Sequence, residues 1–176
     1  MIPPGVKLIC LYGPESTGKS TLARRLAERY HTEFVPEVAK EFITSNQFTV
    51  EDILQIGRAQ TERIVQRAAL ANRVLFCDTD LITTAIYSDI FLKTIPDELN
   101  ALERTVHYDQ YFLFDIDVPW VADGLRDLGE RRKELFDRFK FELERRHISY
   151  ILINGTFEER EKKVVEVVDR LLNQPG

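Results

Sequence analysis

The sequence predicts a doubly wound α/β domain, a five-stranded parallel sheet with helices on both faces. Three observations lead there. Five short apolar runs are continuous rather than alternating, as strands covered on both sides must be. Helical patterns separate the runs, so each strand returns through a crossover. Behind the first run a glycine-spaced loop opens straight into a helix.

The strands are expected at Lys7–Tyr12, Glu33–Val35, Arg73–Cys77, Gln110–Phe114 and Ser149–Ile153. A helix over Ser20–Tyr30 follows the glycine loop. Thr49 is placed to cap a long helix reaching about Asn72, with Ile53, Ile56, Ile64 and Val65 on one side. Further helices are expected at Ile82–Asp89, Pro96–Arg104, Glu130–Arg146 and Phe157–Leu172. The chain reads as a single domain over residues 1–176, with a lid-like segment around 124–146. At that length roughly 70% of the unfolded surface can be buried. Ligand sites in such sheets lie at the carboxyl ends of the strands.

Composition narrows the classes. The chain is 44% hydrophobic and 30% charged, with a net charge of −5, which speaks against a general nucleic-acid binder. No apolar run approaches the roughly 20 residues of a membrane span. The opening Met1-Ile2-Pro3-Pro4-Gly5 lacks a basic stretch and runs straight into a core strand, so a signal peptide is not expected. Cys10 and Cys77 both fall within apolar runs and read as buried small hydrophobes in a reducing compartment. The expected location is therefore the cytoplasm. Oligomeric state is not legible.

Gly13-Pro14-Glu15-Ser16-Thr17-Gly18-Lys19-Ser20 has the spacing of a phosphate-binding loop, with Thr21 opening the helix behind it. Gly13 and Gly18 let the backbone approach closely, and the N–H groups of Glu15 to Lys19 can wrap a polyphosphate. The helix start adds its positive dipole end. Lys19 can reach the outer phosphates, and the Ser20 hydroxyl can complete a Mg²⁺ shell. The expected ligands are thus ATP and Mg²⁺.

Acids stand at the ends of the next two strands. Glu37 is placed to meet a substrate hydroxyl, or else to stabilise a helix start. Asp78 and Asp80 follow the third strand at i and i+2, where an extended segment turns both to one side and a cation can bridge them. Asp80 can equally cap the helix that follows. After the fourth strand come Asp117, Trp120 and Asp123. The only tryptophan in the chain, set among carboxylates, suits a flat ring, neutral or cationic, while the two acids can bind sugar hydroxyls or cap turns. Arg126, with Arg131 and Arg132 behind it, matches the charge of a transferred phosphoryl group and reads as a lid; the latter two can also be plain surface residues. Asn154-Gly155-Thr156 closes the fifth strand where loops often frame adenine, although Asn-Gly is also a common turn.

Four blocks together resemble a known family: residues 13–22 (GPESTGKSTL), 36–42 (PEVAKEF), 76–84 (FCDTDLITT) and 117–126 (DVPWVADGLR). They are similar to the nicotinamide riboside kinase domain of bacterial NadR-type proteins, across roughly Lys7 to Asn154. The resemblance implies the P-loop nucleoside kinase fold and ATP-dependent phosphorylation of the ribose 5′-hydroxyl of nicotinamide riboside. A small nucleoside acceptor is then the partner, and no nucleic acid or membrane is expected. Lys19 would hold phosphates, Ser20 and Asp78 would hold Mg²⁺, Arg126 would cover the transferred group, and Glu37 or Asp80 would take the proton. Larger NadR-type proteins also carry an adenylyltransferase domain with a His-x-x-His-type signature, and some add a helix-turn-helix. His31, His107 and His147 are isolated here, so neither activity is carried over. Val38, Lys40 and Phe42 stand where many relatives have Tyr, Arg and Tyr or Trp, which keeps open another nucleoside or small-molecule acceptor. A nucleotide-dependent regulatory ATPase is the remaining alternative.

Overall fold

The computed structural model describes residues 2–45, 47–118 and 131–174. The elements run β1 (Lys7–Tyr12), α1 (Lys19–Arg29), β2 (Phe34–Val35), α2 (Ala39–Phe42), α3 (Val50–Ala68), β3 (Val74–Asp78), α4 (Leu81–Leu92), α5 (Asp97–Glu103), β4 (Gln110–Phe114), α6 (Arg132–Arg145), β5 (Tyr150–Ile153) and α7 (Phe157–Leu172). All five strands are parallel, in the order β2-β3-β1-β4-β5. The expected sheet is therefore present.

Alternation along β1 sorts the core into two faces. Ile9 and Leu11 pack with Leu22 and Leu26 of α1 and with Val164 and Val168 of α7. On the other face Cys10 and Tyr12 pack with Ile82 and Ile86 of α4 and with Leu135, Phe139 and Leu143 of α6. Leu8 joins Val35, Leu75 and Cys77 against Ile64 and Ala68 of α3. Cys10 and Cys77 stand opposite each other in the β1–β3 ladder as free, buried thiols, and burial pushes both thiols up. Among the described residues no helix is long and apolar enough to cross a membrane.

The element bounds moved where tertiary partners intervene. The long helix α3 starts under a capping box, in which Thr49 Oγ1 accepts from Asp52 N and Asp52 returns the bond. It stops at Ala68, short of Asn72. The Asn72 N–H donates to Thr32 Oγ1 and Arg73 takes a φ of 67°, so the chain has already turned back into the sheet. Helix α4 runs on to Leu92, beyond Asp89, and ends on left-handed Lys93. Its residues 81–88 are buried all round because α3, α5 and α6 enclose it, which hides the amphipathic pattern that marks a helix end. The one-turn α2 has too few residues for any period to show.

One ion cluster around a buried carboxylate supports the α6 side of the sheet. Glu142 of α6, with its side chain 7% exposed, accepts from Arg138, Arg145 and Arg146, and Arg146 also pairs with Glu103 at the end of α5. Burial alone would raise the Glu142 carboxyl, but Arg145, Arg146 and Arg138 outweigh it and hold the group at about 2. A depressed carboxyl stabilises the fold above its unfolded value, and that contribution fades as pH falls through its folded value. Glu142→Gln should therefore lower stability at neutral pH by about 2 kcal/mol and flatten its decline between roughly pH 4.5 and 2. Urea unfolding followed across that range checks this; equal slopes for variant and parent would refute it.

Candidate active site

Residues 13–18 join the end of β1 to the start of α1 as a tight loop at the carboxyl edge of the sheet. Gly13 has a φ of 140°, and a Cβ there would lie 2.9 Å from the Phe114 carbonyl oxygen at the end of β4. Only glycine lets the loop press this close to its neighbouring strand. Gly18 takes a φ of 87° immediately before α1 and provides no side-chain cap. The first N–H groups of α1 are thus directed along the helix axis into the loop. Thr17 Oγ1 donates to the Pro14 carbonyl at 2.9 Å, and Lys19 Nζ donates to the same carbonyl at 2.6 Å.

A cavity of about 240 Å³ opens above this loop, lined by residues 15–21 together with Glu37, Lys40 and Asp78. The sequence expectations for Glu15, Ser16, Thr17, Gly18, Lys19, Ser20 and Thr21 thus converge on one concave surface. Ser20 Oγ donates to Asp78 Oδ2 at 2.5 Å, which ties the end of β3 to the start of α1. Asp78 is 2% exposed, and its other oxygen is buried with no hydrogen-bond partner. Burial pushes its carboxyl up, the Lys19 ammonium pulls it back, and Glu37 adds to the rise. Glu37 enters from the β2 exit, 3.6 Å from Lys40.

Asp80 departs from expectation. On a continuous extended segment it would face the same way as Asp78, but Thr79 between them has a φ of 73°. This left-handed twist costs a β-branched residue on the order of 1–3 kcal/mol. It is held by the Thr79 N–H donating to the Leu11 carbonyl and by Gln60 Nε2 donating to the Thr79 carbonyl. Asp80 is consequently turned beneath α4. There its Oδ1 accepts from the Thr83 N–H and hydroxyl, and its Oδ2 accepts from the Tyr111 hydroxyl at 2.6 Å. Burial pushes its carboxyl up to about 6 despite these bonds. Asp80 is a helix cap in this structure and does not line the loop cavity.

Asp117 is likewise occupied within the protein. Its Oδ2 accepts from the Gly155 N–H at 2.7 Å and its Oδ1 accepts from Arg160. Of the expected adenine loop, Gly155 is held by that bond, Thr156 caps α7 in a capping box with Glu159, and Asn154 is exposed. Arg131 pairs with Glu134 on the surface. Arg132 instead reaches the site, donating to the carbonyls of Ser16, Ile116 and Val118. Trp120, Asp123 and Arg126 lie outside the described residues. Sequence reasoning missed Arg160, which is 1% exposed, because a single arginine among the acids at the start of α7 reads as a solvated helix face. It also missed Arg24, which lines a groove of about 390 Å³ with Phe34, Glu37 and Lys40; Ser20, Glu37, Lys40 and Asp78 line both this groove and the loop cavity.

Comparison with known proteins agrees with this fold. The trifunctional NAD biosynthesis/regulator protein NadR of Escherichia coli is 29% identical over 180 residues, which is 96% of this chain. The chain spans 43% of the length of that protein. Two crystal structures of NadR protein, one in complex with NR and one with NAD and AMP-PNP, superpose with a TM-score of 0.79 at 21% and 20% identity. They cover 97% of this chain and about half of theirs, 52% and 51%. Thymidylate kinase from Candida albicans gives a TM-score of 0.61 at 16% identity, covering 94% of this chain and 92% of its own. The fold is that of the P-loop nucleoside kinases, and the resemblance to NadR-type proteins extends along nearly the whole chain. The family described as AAA domain matches residues 8–160, and the chain belongs to it.

Proposed function

We propose that the chain is an ATP-dependent kinase that phosphorylates the ribose 5′-hydroxyl of nicotinamide riboside, giving nicotinamide mononucleotide. One observation carries the reading: Lys19, Ser20, Asp78 and Glu37, drawn from three separate strand ends, share a single cavity at the N-terminus of α1. The similarity to NadR, and the NR and AMP-PNP complexes of that protein, support the choice of acceptor and donor.

In this reading the loop N–H groups and Lys19 hold the triphosphate, and exchange of the Lys19–Pro14 contact for phosphate oxygens leaves the ammonium in place. The residues also fit Mg²⁺. Asp78 keeps a buried, unpartnered oxygen beside the Ser20 hydroxyl, and Mg²⁺ commonly uses one or two carboxylates with substrate phosphates. Such an ion, held by Asp78 and Ser20, would supply positive charge against the phosphates. Glu37, lining the same cavity, orients the acceptor hydroxyl and takes its proton. Asp80 is assigned no role in proton transfer because Thr83 and Tyr111 use its oxygens. Arg126, Trp120 and Asp123 remain proposed for the transferred group, the nicotinamide ring and the ribose. Positioning supplies most of the rate if the transition state is loose. A second reading, an acceptor already bearing a phosphate, is favoured by Arg24 joining Lys40 in the adjoining groove.

ADP release measured with ATP and Mg²⁺ over a panel of nucleosides and nucleoside monophosphates decides between them. Turnover with nicotinamide riboside, lost at least a thousandfold in Lys19→Ala, is expected. Turnover confined to monophosphates would move the assignment to the second reading, and hydrolysis indifferent to every acceptor would remove both. For the base, Glu37→Gln should lower kcat about 10²- to 10⁴-fold. Asp80→Asn should instead lower the melting temperature and leave kcat within a few fold; the reverse pattern would return the role to Asp80.

A further inference from the structure

We propose that Arg160 is a positioning residue that, together with Asp117, sets the spacing between the phosphate loop and the loop that meets the nucleotide base; this rests on the nucleotide-binding reading above. Arg160 projects from the first turns of α7 and is fully buried, its guanidinium over the Phe114 ring at 6.0 Å. Its planar fork serves three segments at once. Nε donates to the Gly155 carbonyl at 2.9 Å, Nη2 donates to the Asp115 carbonyl at 3.1 Å and to Asp117, and Nη1 donates to the Thr17 carbonyl at 3.4 Å. Asp117 closes the circuit by accepting from the Gly155 N–H.

The three segments are the β5–α7 loop, the exit of β4 and the phosphate loop. Each starts from a different strand, and beyond the Asp115 N–H bond to the Ile153 carbonyl no backbone hydrogen bond joins the three loops among the described residues. A buried guanidinium with rigid donor directions fixes their separation, which a lysine with one mobile ammonium cannot reproduce. The Phe157 ring, 3.5 Å from the position of a Gly18 Cβ, adds a second contact between the base loop and the phosphate loop. A ligand that spans both loops depends on this brace, whereas one that touches only the phosphate loop does not. The chemical class is therefore a nucleoside triphosphate, with the adenosine half sensitive and the triphosphate tail insensitive. Both Asp117 oxygens are engaged in the brace.

Calorimetric titration of ATP and, separately, inorganic tripolyphosphate into the parent chain, Arg160→Lys and Asp117→Ala tests this, with melting temperatures recorded alongside. The side chain of Asp117 is 40% exposed, so its removal leaves the core filled and serves as the deciding variant if Arg160→Lys fails to fold. ATP affinity should fall about tenfold or more, as loss of a charge-assisted hydrogen bond implies, while tripolyphosphate affinity changes less than twofold. In turnover, KM for ATP should rise with kcat and KM for nicotinamide riboside held. Equal losses for ATP and tripolyphosphate, or unchanged ATP affinity in the folded variants, would overturn the brace. A parent chain that binds no ATP would overturn the proposed function itself and this inference with it.

Discussion

The site depends on how closely the loop after β1 approaches the end of β4. β1 is the central strand, covered on both faces, so the chain leaving it has no free surface to wander over. Six residues take it from Tyr12 to Lys19, and Gly13 must lie against the Phe114 carbonyl to make the turn. That contact fixes the mouth of the loop on the sheet. Everything else at the site is oriented towards the opening that results: Asp78 through Ser20, Glu37 from the β2 exit, and Arg132 through the Ser16 carbonyl.

The same edge shows how one twisted residue separates two acids that sequence spacing treats as equivalent. Thr79 accepts a strained backbone angle because both its N–H and its carbonyl are held by residues of other elements, Leu11 and Gln60. In consequence Asp78 faces the loop and Asp80 starts a helix. Each further carboxylate in the cavity raises the cost of ionising Asp78, as Glu37 already does. Turning Asp80 away leaves Asp78 with Lys19 as its opposing charge, and it leaves Glu37 as the second acid.

The fold was legible because its signals are periodic. Buried parallel strands are continuous in apolar residues, and the glycine loop has fixed spacing, so all five strands and the long helices could be placed to within a few residues. The loop residues of the site were legible for the same reason: their places follow from the backbone. What was hidden depends on tertiary partners. Nothing in Asp-Thr-Asp reveals that the middle residue will adopt a positive φ, since threonine is among the residues least suited to it. Arg24 is one more charge on α1 in the sequence, and only the fold puts it on the same groove as Lys40 of α2.

Arg160 shows why such residues escape sequence reading in general. A lone arginine among glutamates has the pattern of a solvated helix, and most such arginines are solvated. Burying this one requires acceptors for its guanidinium, and those come from residues 17, 115, 117 and 155, which are far apart in the chain. A buried cation carries a large desolvation penalty unless its hydrogen bonds are met. The position is therefore intelligible only as part of the junction it completes. The junction lies where the β5–α7 loop, the β4 exit and the phosphate loop meet, so under the proposed function the cost of burial is offset at the place where a ligand spanning them would need rigidity. A surface arginine at the same point on α7 would stabilise a helix; a buried one can hold the geometry of a site.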